Sequence, residues 1–290
     1  MKKRLALLFP TLVVFSALLL AGCSNDDSTS DEASEGDATS SSSTSAVGDA
    51  AGEAESGAEA PVKVMVTNDD GIGSEGIDAL VQALVARDDV EIVVVAPAEN
   101  QSGSGGKTTD AVLEANDALT ASGYEATAVV GFPADAVLYG IEELEVEPDL
   151  VISGINDGQN IGPLVNISGT VGAARQAAQL GVPSLATSQG FGDPPDFETS
   201  VEAVMTWLDE NLDAVRDGTL GVATVSSLNA PTCPQGEVQG VVEVPVAPDT
   251  GADLNAVDCA GTADPVDDVT AFSNGWVSLS ALEPSGSITS

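Results

Sequence analysis

From residue 62 onward the chain alternates short apolar runs with segments of helical periodicity. Apolar residues at positions 77, 80, 81, 84 and 85, for example, fall on one face of a helix. The expected strands cover residues 62–66, 91–96, 126–130, 149–153, 182–186 and 222–225, and the expected helices cover residues 77–85, 134–141, 170–180 and 197–215. Short buried strands alternating with helices predict an α/β fold, with a mostly parallel sheet covered by helices on both faces.

The polar loops of this pattern predict the place of a functional site. Ligands of open parallel sheets bind beyond the carboxyl ends of the strands. The loops expected there are residues 67–76, 97–109, 131–135 and 153–170, and they hold most of the Gly, Asn and Asp clusters of this region. We therefore expect the site to be assembled from these loops.

The tail from residue 229 onward predicts an irregular, β-rich C-terminal extension. It is rich in Gly, Pro and Asp, with β-like pieces only at residues 238–246 and 276–279. Cys233 and Cys259 both lie in this tail. They either form a disulfide or remain two buried thiols.

The first 61 residues have the pattern of an export signal and a tether. Basic residues at positions 2–4 precede an apolar run over residues 5–20, and Leu20-Ala21-Gly22-Cys23 resembles a bacterial lipobox. We expect residues 1–22 to be a lipoprotein signal peptide, Cys23 to carry the lipid, and residues 23–61 to be a disordered acidic spacer. The alternative is an uncleaved anchor with an incidental cysteine. Either way, the domain at residues 62–290 would be exported and held at a membrane of the cell envelope.

Composition narrows the chemistry available to this domain. Over the 290 residues, 8 Lys and Arg stand against 46 Asp and Glu, a net charge of −38, so nucleic acid is not an expected partner. The chain has no histidine and only 3 cysteines, which excludes Ser-His-Asp and Cys-His catalysis and all His-containing zinc sites. Catalysis would depend on carboxylates, hydroxyls, amides and a hard cation.

Three of the loops carry residues suited to that chemistry. Asp69 and Asp70 would repel each other unless a cation such as Mg²⁺ or Mn²⁺ lies beside them, although a solvated turn pair is the alternative. Asn156 can offer a neutral oxygen to the same ion. Ser168-Gly169-Thr170 begins an expected helix, where an anion such as phosphate could bind or Ser168 could simply cap the helix. The string Gly106-Lys107-Thr108 is not a P-loop, because position 101 is Gln rather than Gly.

Four ordered motifs together resemble the SurE family of metal-dependent nucleotidases. The motifs are Val66-Thr67-Asn68-Asp69-Asp70-Gly71-Ile72, Asn100-Gln101-Ser102-Gly103, Ser153-Gly154-Ile155-Asn156, and Ser168-Gly169-Thr170-Val171-Gly172. The similarity spans roughly residues 62–282 and implies a Rossmann-like fold. The chain departs from the family pattern at Phe132, where Thr is usual, and at Ile167, where an aromatic residue is usual.

The resemblance implies roles for particular residues. One divalent ion per subunit, Mg²⁺ or Mn²⁺, would be bound by Asp69, Asp70, Ser102 and Asn156, and the two aspartates would also orient the attacking water. Phosphate contacts are expected within the matched motifs, from Asn68, Gly154, Ser168, Gly169 and Thr170. The implied reaction is hydrolysis of nucleoside 5′- and 3′-monophosphates by a homodimer or tetramer, with residues 229–275 as the oligomerisation segment.

Two other functions fit parts of the sequence. Asn68-Asp69-Asp70-Gly71-Ile72 is close to the Asp-x-Asp-Gly-Thr signature of haloacid-dehalogenase-type phosphatases, but the nucleophilic position holds Asn68. An exported lipoprotein that binds a phosphate-containing ligand or a cation without turnover is the non-enzymatic alternative.

Overall fold

The computed structural model describes residues 59–251 and 253–286. The expected signal peptide, Cys23 and the tether up to residue 58 lie outside the described residues. Within the described residues, every helix is too short or too polar to cross a membrane.

The described residues form one nine-stranded sheet flanked by helices. The strands are β1 (Val62–Thr67), β2 (Val90–Pro97), β3 (Glu114–Leu119), β4 (Glu125–Val130), β5 (Leu150–Asp157), β6 (Ser184–Gln189), β7 (Val225–Ala230), β8 (Val241–Glu243) and β9 (Val277–Leu282). Their order across the sheet is β3-β4-β2-β1-β5-β6-β7-β9-β8. The six strands from β4 to β7 in this order are parallel, whereas β3 and β9 run antiparallel to β4 and β7. This is the expected mostly parallel α/β sheet.

Helices cover both faces of the sheet because the central strands are apolar on both faces. The helices are α1 (Glu75–Val85), α2 (Pro133–Leu138), α3 (Gly169–Gln179), α4 (Glu198–Arg216) and α5 (Asp268–Ser273), with a π-helical turn at Tyr139–Glu143 and a 3-10 helix at Gly162–Asn166. In β1, Val64 and Val66 belong to the core under α1 and α4. Met65, which points to the opposite face, packs with the alanines of α2 and α3. The small side chains of α3 allow that helix to lie close to the sheet.

Three strands extend further toward their carboxyl ends than the apolar runs predict. The expected strand at 149–153 continues to Asp157, the one at 182–186 lies at Ser184–Gln189, and the one at 222–225 was misplaced because β7 covers Val225–Ala230. Many of the added residues are polar but buried, among them Thr187, Ser188 and Asn229. A prediction based on apolar runs does not include polar residues, so these strand ends were not predicted.

The C-terminal extension is irregular, as expected, but its regular elements differ from the prediction. The strand β8 has three residues instead of the nine expected, and the short helix α5 was not predicted. The edge strand β3 was also missed, because half of its sequence EANDAL is polar and the strand is largely exposed. A disulfide between Cys233 and Cys259, whose Cα atoms are 5.7 Å apart, links two parts of this extension.

Candidate active site

The candidate site lies where the strand order of the sheet reverses. Strand β1 is flanked by β2 on one side and β5 on the other, so the chain leaves β1 and β5 in opposite directions at their carboxyl ends. Such a switch point opens a crevice between the two outgoing loops. Asp69 and Asp70 follow β1, and Asn156 and Asp157 end β5, which places all four at this crevice.

Asp69 is a buried carboxylate held at the start of α3. It is 2 % exposed, and the Thr170 hydroxyl donates to its Oδ1 at 2.6 Å. The helix can approach this closely because residue 169 is glycine: a Cβ there would lie 2.7 Å from the Cβ of Asp69. Burial raises the pKa of Asp69 to about 6, the hydrogen bond from Thr170 opposes that rise, and the charge of Asp70 adds to it.

Asp70 points into the crevice and is bound from two neighbouring loops. Its Oδ1 accepts from the Asn100 amide at 2.9 Å and lies 3.5 Å from the Ser102 hydroxyl. Its Oδ2 accepts from the backbone N–H of Asp157 at 3.0 Å. Burial raises the pKa of Asp70; the N–H of Asp157 opposes the increase, and the carboxylate charge of Asp157 adds to it. Thus Asp70 links the loops after β1, β2 and β5.

Asn156 has the orientation of a neutral oxygen donor. Its amide N–H donates to the carbonyl of Gly158, which fixes the side chain and leaves Oδ1 as the group available to a ligand. The side chain is 8 % exposed and lines the same crevice as the two aspartates.

The residues present fit a hard divalent cation. Asp69, Asp70 and Asp157 line the same cleft, and within residues 59–251 and 253–286 none of them has a salt-bridge partner. The candidate ligands Asp69, Asp70, Ser102 and Asn156 all offer oxygen, the donor type that Mg²⁺ and Mn²⁺ prefer. No cluster of three or more Asp, Glu, His or Cys suited to a metal occurs in the same described residues, so the fit depends on the serine and asparagine as well as the two aspartates.

These residues line a cleft of about 590 Å³, within the usual range for small-molecule sites. The structure places Asp69, Asp70, Ser102, Asn156 and Ser168 of the predicted residues on its wall. Four other lining residues, Asp157, Gly158, Gln159 and Leu164, lie in the predicted loop at 153–170 but had no predicted role, and Phe191, Leu254 and Asn255 lie outside every predicted loop. Phe191 could have been found, because it follows a strand at the same edge of the sheet, but ending that strand at residue 186 left its loop out of consideration.

Four of the five predicted phosphate contacts lie beneath the cleft instead of on its wall. Asn68 is fully buried, and its amide bonds Gly71 and Ser74 within the turn after β1. Gly154 packs inside the sheet, where a Cβ would lie 2.3 Å from the carbonyl oxygen of Thr187. Gly169 and Thr170 contact Asp69 as described above. Ser168 caps α3, its hydroxyl accepting from the N–H of Val171 at 3.1 Å.

The loop at 131–135 does not line the cleft, although it lies in the expected set of loops. Asp135 accepts hydrogen bonds from the N–H and the hydroxyl of Thr109 at 2.8 and 2.7 Å, and from the N–H of Phe132. The loop therefore anchors the end of the segment that carries Ser102.

Comparisons with known proteins agree on one family. A family model described as Survival protein SurE matches residues 64–249. A protein of Halobacterium salinarum named 5′-nucleotidase SurE is 40 % identical over 228 residues, covering 76 % of this chain and 81 % of that protein. A Brevibacillus brevis protein of the same name is 36 % identical over 187 residues, covering 62 % of this chain and 71 % of that protein. The crystal structure of the Aquifex aeolicus SurE protein superposes with a TM-score of 0.63 at 28 % identity, covering 78 % of this chain and 94 % of that one.

Proposed function

The chain belongs to the SurE family, and from that premise we propose that it is a phosphomonoesterase that hydrolyses nucleoside monophosphates. The proposal includes both 5′- and 3′-monophosphates and dependence on one divalent ion, Mg²⁺ or Mn²⁺, per subunit. Relatives named 5′-nucleotidase SurE support the nucleotidase activity.

The main observation in support of metal dependence is that three loops converge on one cleft. Asp69 and Asp70 come from the loop after β1, Ser102 from the loop after β2, and Asn156 from the end of β5. In sequence they are as far apart as 87 positions. Their gathering in a polar cleft without a salt-bridge partner among the described residues supports a cation site.

The proposed mechanism assigns each of these side chains a task. Thr170 fixes the Asp69 carboxylate, while Asn100 and the N–H of Asp157 fix that of Asp70, so both acids are oriented before substrate enters. In these positions the two aspartates would align the attacking water. A bound divalent ion would polarise the phosphate and lower the pKa of its bound water.

A hydrolysis assay tests the proposal. We expect residues 59–290 to hydrolyse adenosine 5′- and 3′-monophosphates with Mg²⁺ or Mn²⁺ and to lose that rate in EDTA. Asp70→Asn should lower kcat by about a hundredfold or more, because it removes a charged metal ligand, whereas Asp157→Asn should have a much smaller effect since only its backbone N–H contacts Asp70. Undiminished activity in EDTA would refute the metal-dependent mechanism.

The two alternatives make different predictions in the same assay. Tight nucleotide binding without turnover would favour the non-catalytic lipoprotein. A haloacid-dehalogenase mechanism would need a nucleophile at position 68, but the Asn68 amide is buried and bound within its own turn. That geometry favours the SurE reaction over a phospho-enzyme mechanism.

We also propose that the protein is an exported lipoprotein of the cell envelope, attached through Cys23 and held away from the bilayer by the acidic tether. The basic start, the apolar run and the lipobox-like residues support this. Metabolic labelling with a fatty acid should label the wild type and not Cys23→Ser.

We propose a homodimer or tetramer as the assembly, with residues 229–275 as the candidate contact region. Light scattering on residues 59–290 should give twice or four times the monomer mass. A monomer at micromolar concentration would contradict this proposal.

A further inference from the structure

Two large apolar side chains are exposed inside the candidate cleft. Phe191 is 63 % exposed and Ile167 is 57 % exposed, and both line the cleft that contains Asp69 and Asp70. Neither contributes to the three buried cores of the described residues. Exposed apolar surface in a concave site is typical of ligand contact.

The Phe191 ring is seated beside the candidate metal ligands. Its outer edge lies against Gly158, two residues after Asn156, and a Cβ at position 158 would be 2.5 Å from the ring Cζ. Gly158 has a φ of 122°, which favours glycine, so the backbone here both turns and leaves room for the ring. The ring therefore occupies a defined position at the edge of the cleft.

Two further apolar residues, Ile167 and Leu254, line the same cleft. Ile167 immediately precedes Ser168, the cap of α3. Leu254 is positioned by Gln159, whose buried amide donates to the Leu254 carbonyl at 2.7 Å. We call Ile167, Phe191 and Leu254 the apolar rim. The cleft thus combines the acidic groups of Asp69 and Asp70 with the apolar rim.

We infer that Phe191 is a specificity-determining residue whose ring stacks on the nucleobase of the substrate, with Ile167, which lines the same cleft, as a second contact to the base. This inference rests on the proposed nucleotidase function. A nucleoside monophosphate has a charged phosphate at one end and a planar, largely apolar base at the other, and this cleft offers both candidate metal ligands and exposed apolar side chains. An aromatic ring binds any base through its face, so the apolar rim selects nucleotides over base-free phosphates without selecting one base.

Kinetics with two substrates test the inference. Adenosine 5′-monophosphate and ribose 5-phosphate share the sugar phosphate and differ in the base. With Mn²⁺ present, Phe191→Ala should raise KM for the nucleotide about tenfold with little change in kcat, and should leave ribose 5-phosphate unaffected. Phe191→Trp should restore the nucleotide KM. Leu119→Ala, at an exposed leucine of β3 that does not line this cleft, is the matched control and should change neither substrate.

The outcomes separate the inference from the function on which it rests. An equal KM change for both substrates, or no change for either, would overturn the role of Phe191. If the wild type hydrolysed neither compound, the proposed function would fail, and calorimetric binding of the same two compounds would decide the inference. Weaker binding of the nucleotide alone in Phe191→Ala would then support stacking, and unchanged or absent nucleotide binding would refute it.

Discussion

Asp69 is a carboxylate that the fold holds in a position unfavourable to its own charge. It is buried, lies next to Asp70, and has its pKa raised to about 6. Only the hydrogen bonds at the start of α3 offset this cost. A site that binds a cation would have this arrangement, because the ion supplies the missing positive charge when it binds.

The raised pKa predicts how the stability of the metal-free protein depends on pH. The folded state keeps a proton on Asp69 up to about pH 6, whereas the unfolded chain releases it near the ordinary value of 3.8. The contribution of Asp69 to the free energy of unfolding is therefore at its maximum below pH 3.8 and is lost as pH rises through 6. The loss is on the order of 2–3 kcal/mol. In EDTA, Asp69→Asn should unfold at a higher temperature than the wild type at pH 8, with a smaller difference at pH 4. Equal differences at both pH values would contradict this.

Thr170 should act on catalysis mainly through Asp69, because the other hydrogen bond of its hydroxyl, accepted from the Asn160 amide, is much longer at 3.4 Å. Thr170→Val removes the 2.6 Å hydrogen bond to Oδ1 but keeps the side-chain volume. We expect kcat to fall about tenfold, the effect of losing one hydrogen bond to a charged group, with a smaller change in KM. Thr170→Ser, which keeps the hydroxyl, should retain most of the activity. Matching losses in both variants would show that packing, not the hydrogen bond, matters at this position.

At the scale of elements, the site depends on strands that stay paired beyond their apolar segments. In β5 the register with β6 shifts between Ser153 and Asn156, which is where Gly154 lies. That irregularity lets the strand continue to Asn156 and Asp157 and brings both to the crevice. The predicted phosphate residue Gly154 therefore contributes through backbone shape.

A substitution at Gly154, in this irregular part of β5, should lower the free energy of unfolding far more than a substitution at Gly73, in the turn after β1. In Gly154→Ala the new Cβ would meet the Thr187 carbonyl oxygen at 2.3 Å, and the φ of 141° adds strain. We expect the free energy of unfolding to fall by about 3 kcal/mol or more. Gly73→Ala, where no atom lies within 4 Å of the new Cβ, is the control and should change it by about 0.5 kcal/mol or less. Denaturant titration of both variants checks this, and similar values would refute the packing role.

For the molecule as a whole, repulsion between acidic groups is a large unfavourable term. Residues 61–290 contain five Lys or Arg and 36 Asp or Glu. In the described residues the salt bridges involve only Arg87 and Arg216, and their carboxylate partners are mostly exposed. Such pairs add little stability, so repulsion should dominate the surface electrostatics.

Screening by salt should therefore stabilise the folded protein. Raising NaCl from about 0.05 to 1 M shortens the Debye length to about 3 Å and should raise Tm by several degrees. KCl should give the same curve, because screening depends on ionic strength; a difference between the two salts would indicate specific ion binding. A Tm that stays constant or falls would contradict the expected effect of repulsion.

The sequence by itself determined the α/β class, predicted the edge of the sheet at which the candidate cleft lies, and, through the resemblance, supplied the residues proposed as metal ligands. Apolar periodicity reports burial directly, and the carboxyl ends of parallel strands meet at one edge whatever the details of packing. The four motifs were local enough to be found without knowing the fold. The polar edge strand β3 and the short helix α5 were missed because neither has an apolar pattern strong enough to be detected.

Only the tertiary structure decided which of the predicted site residues face the cleft. Gly154, Gly169 and Thr170 belong to the motifs but lie beneath the cleft, because β6 and α3 pack closely against the strand ends there. Asn68 also lies beneath the cleft, because its amide is hydrogen-bonded within the turn after β1. Phe191 and Leu254 belong to none of the four motifs, yet they line the cleft. Which face a loop residue presents depends on contacts with segments distant in sequence, and no local pattern encodes those contacts.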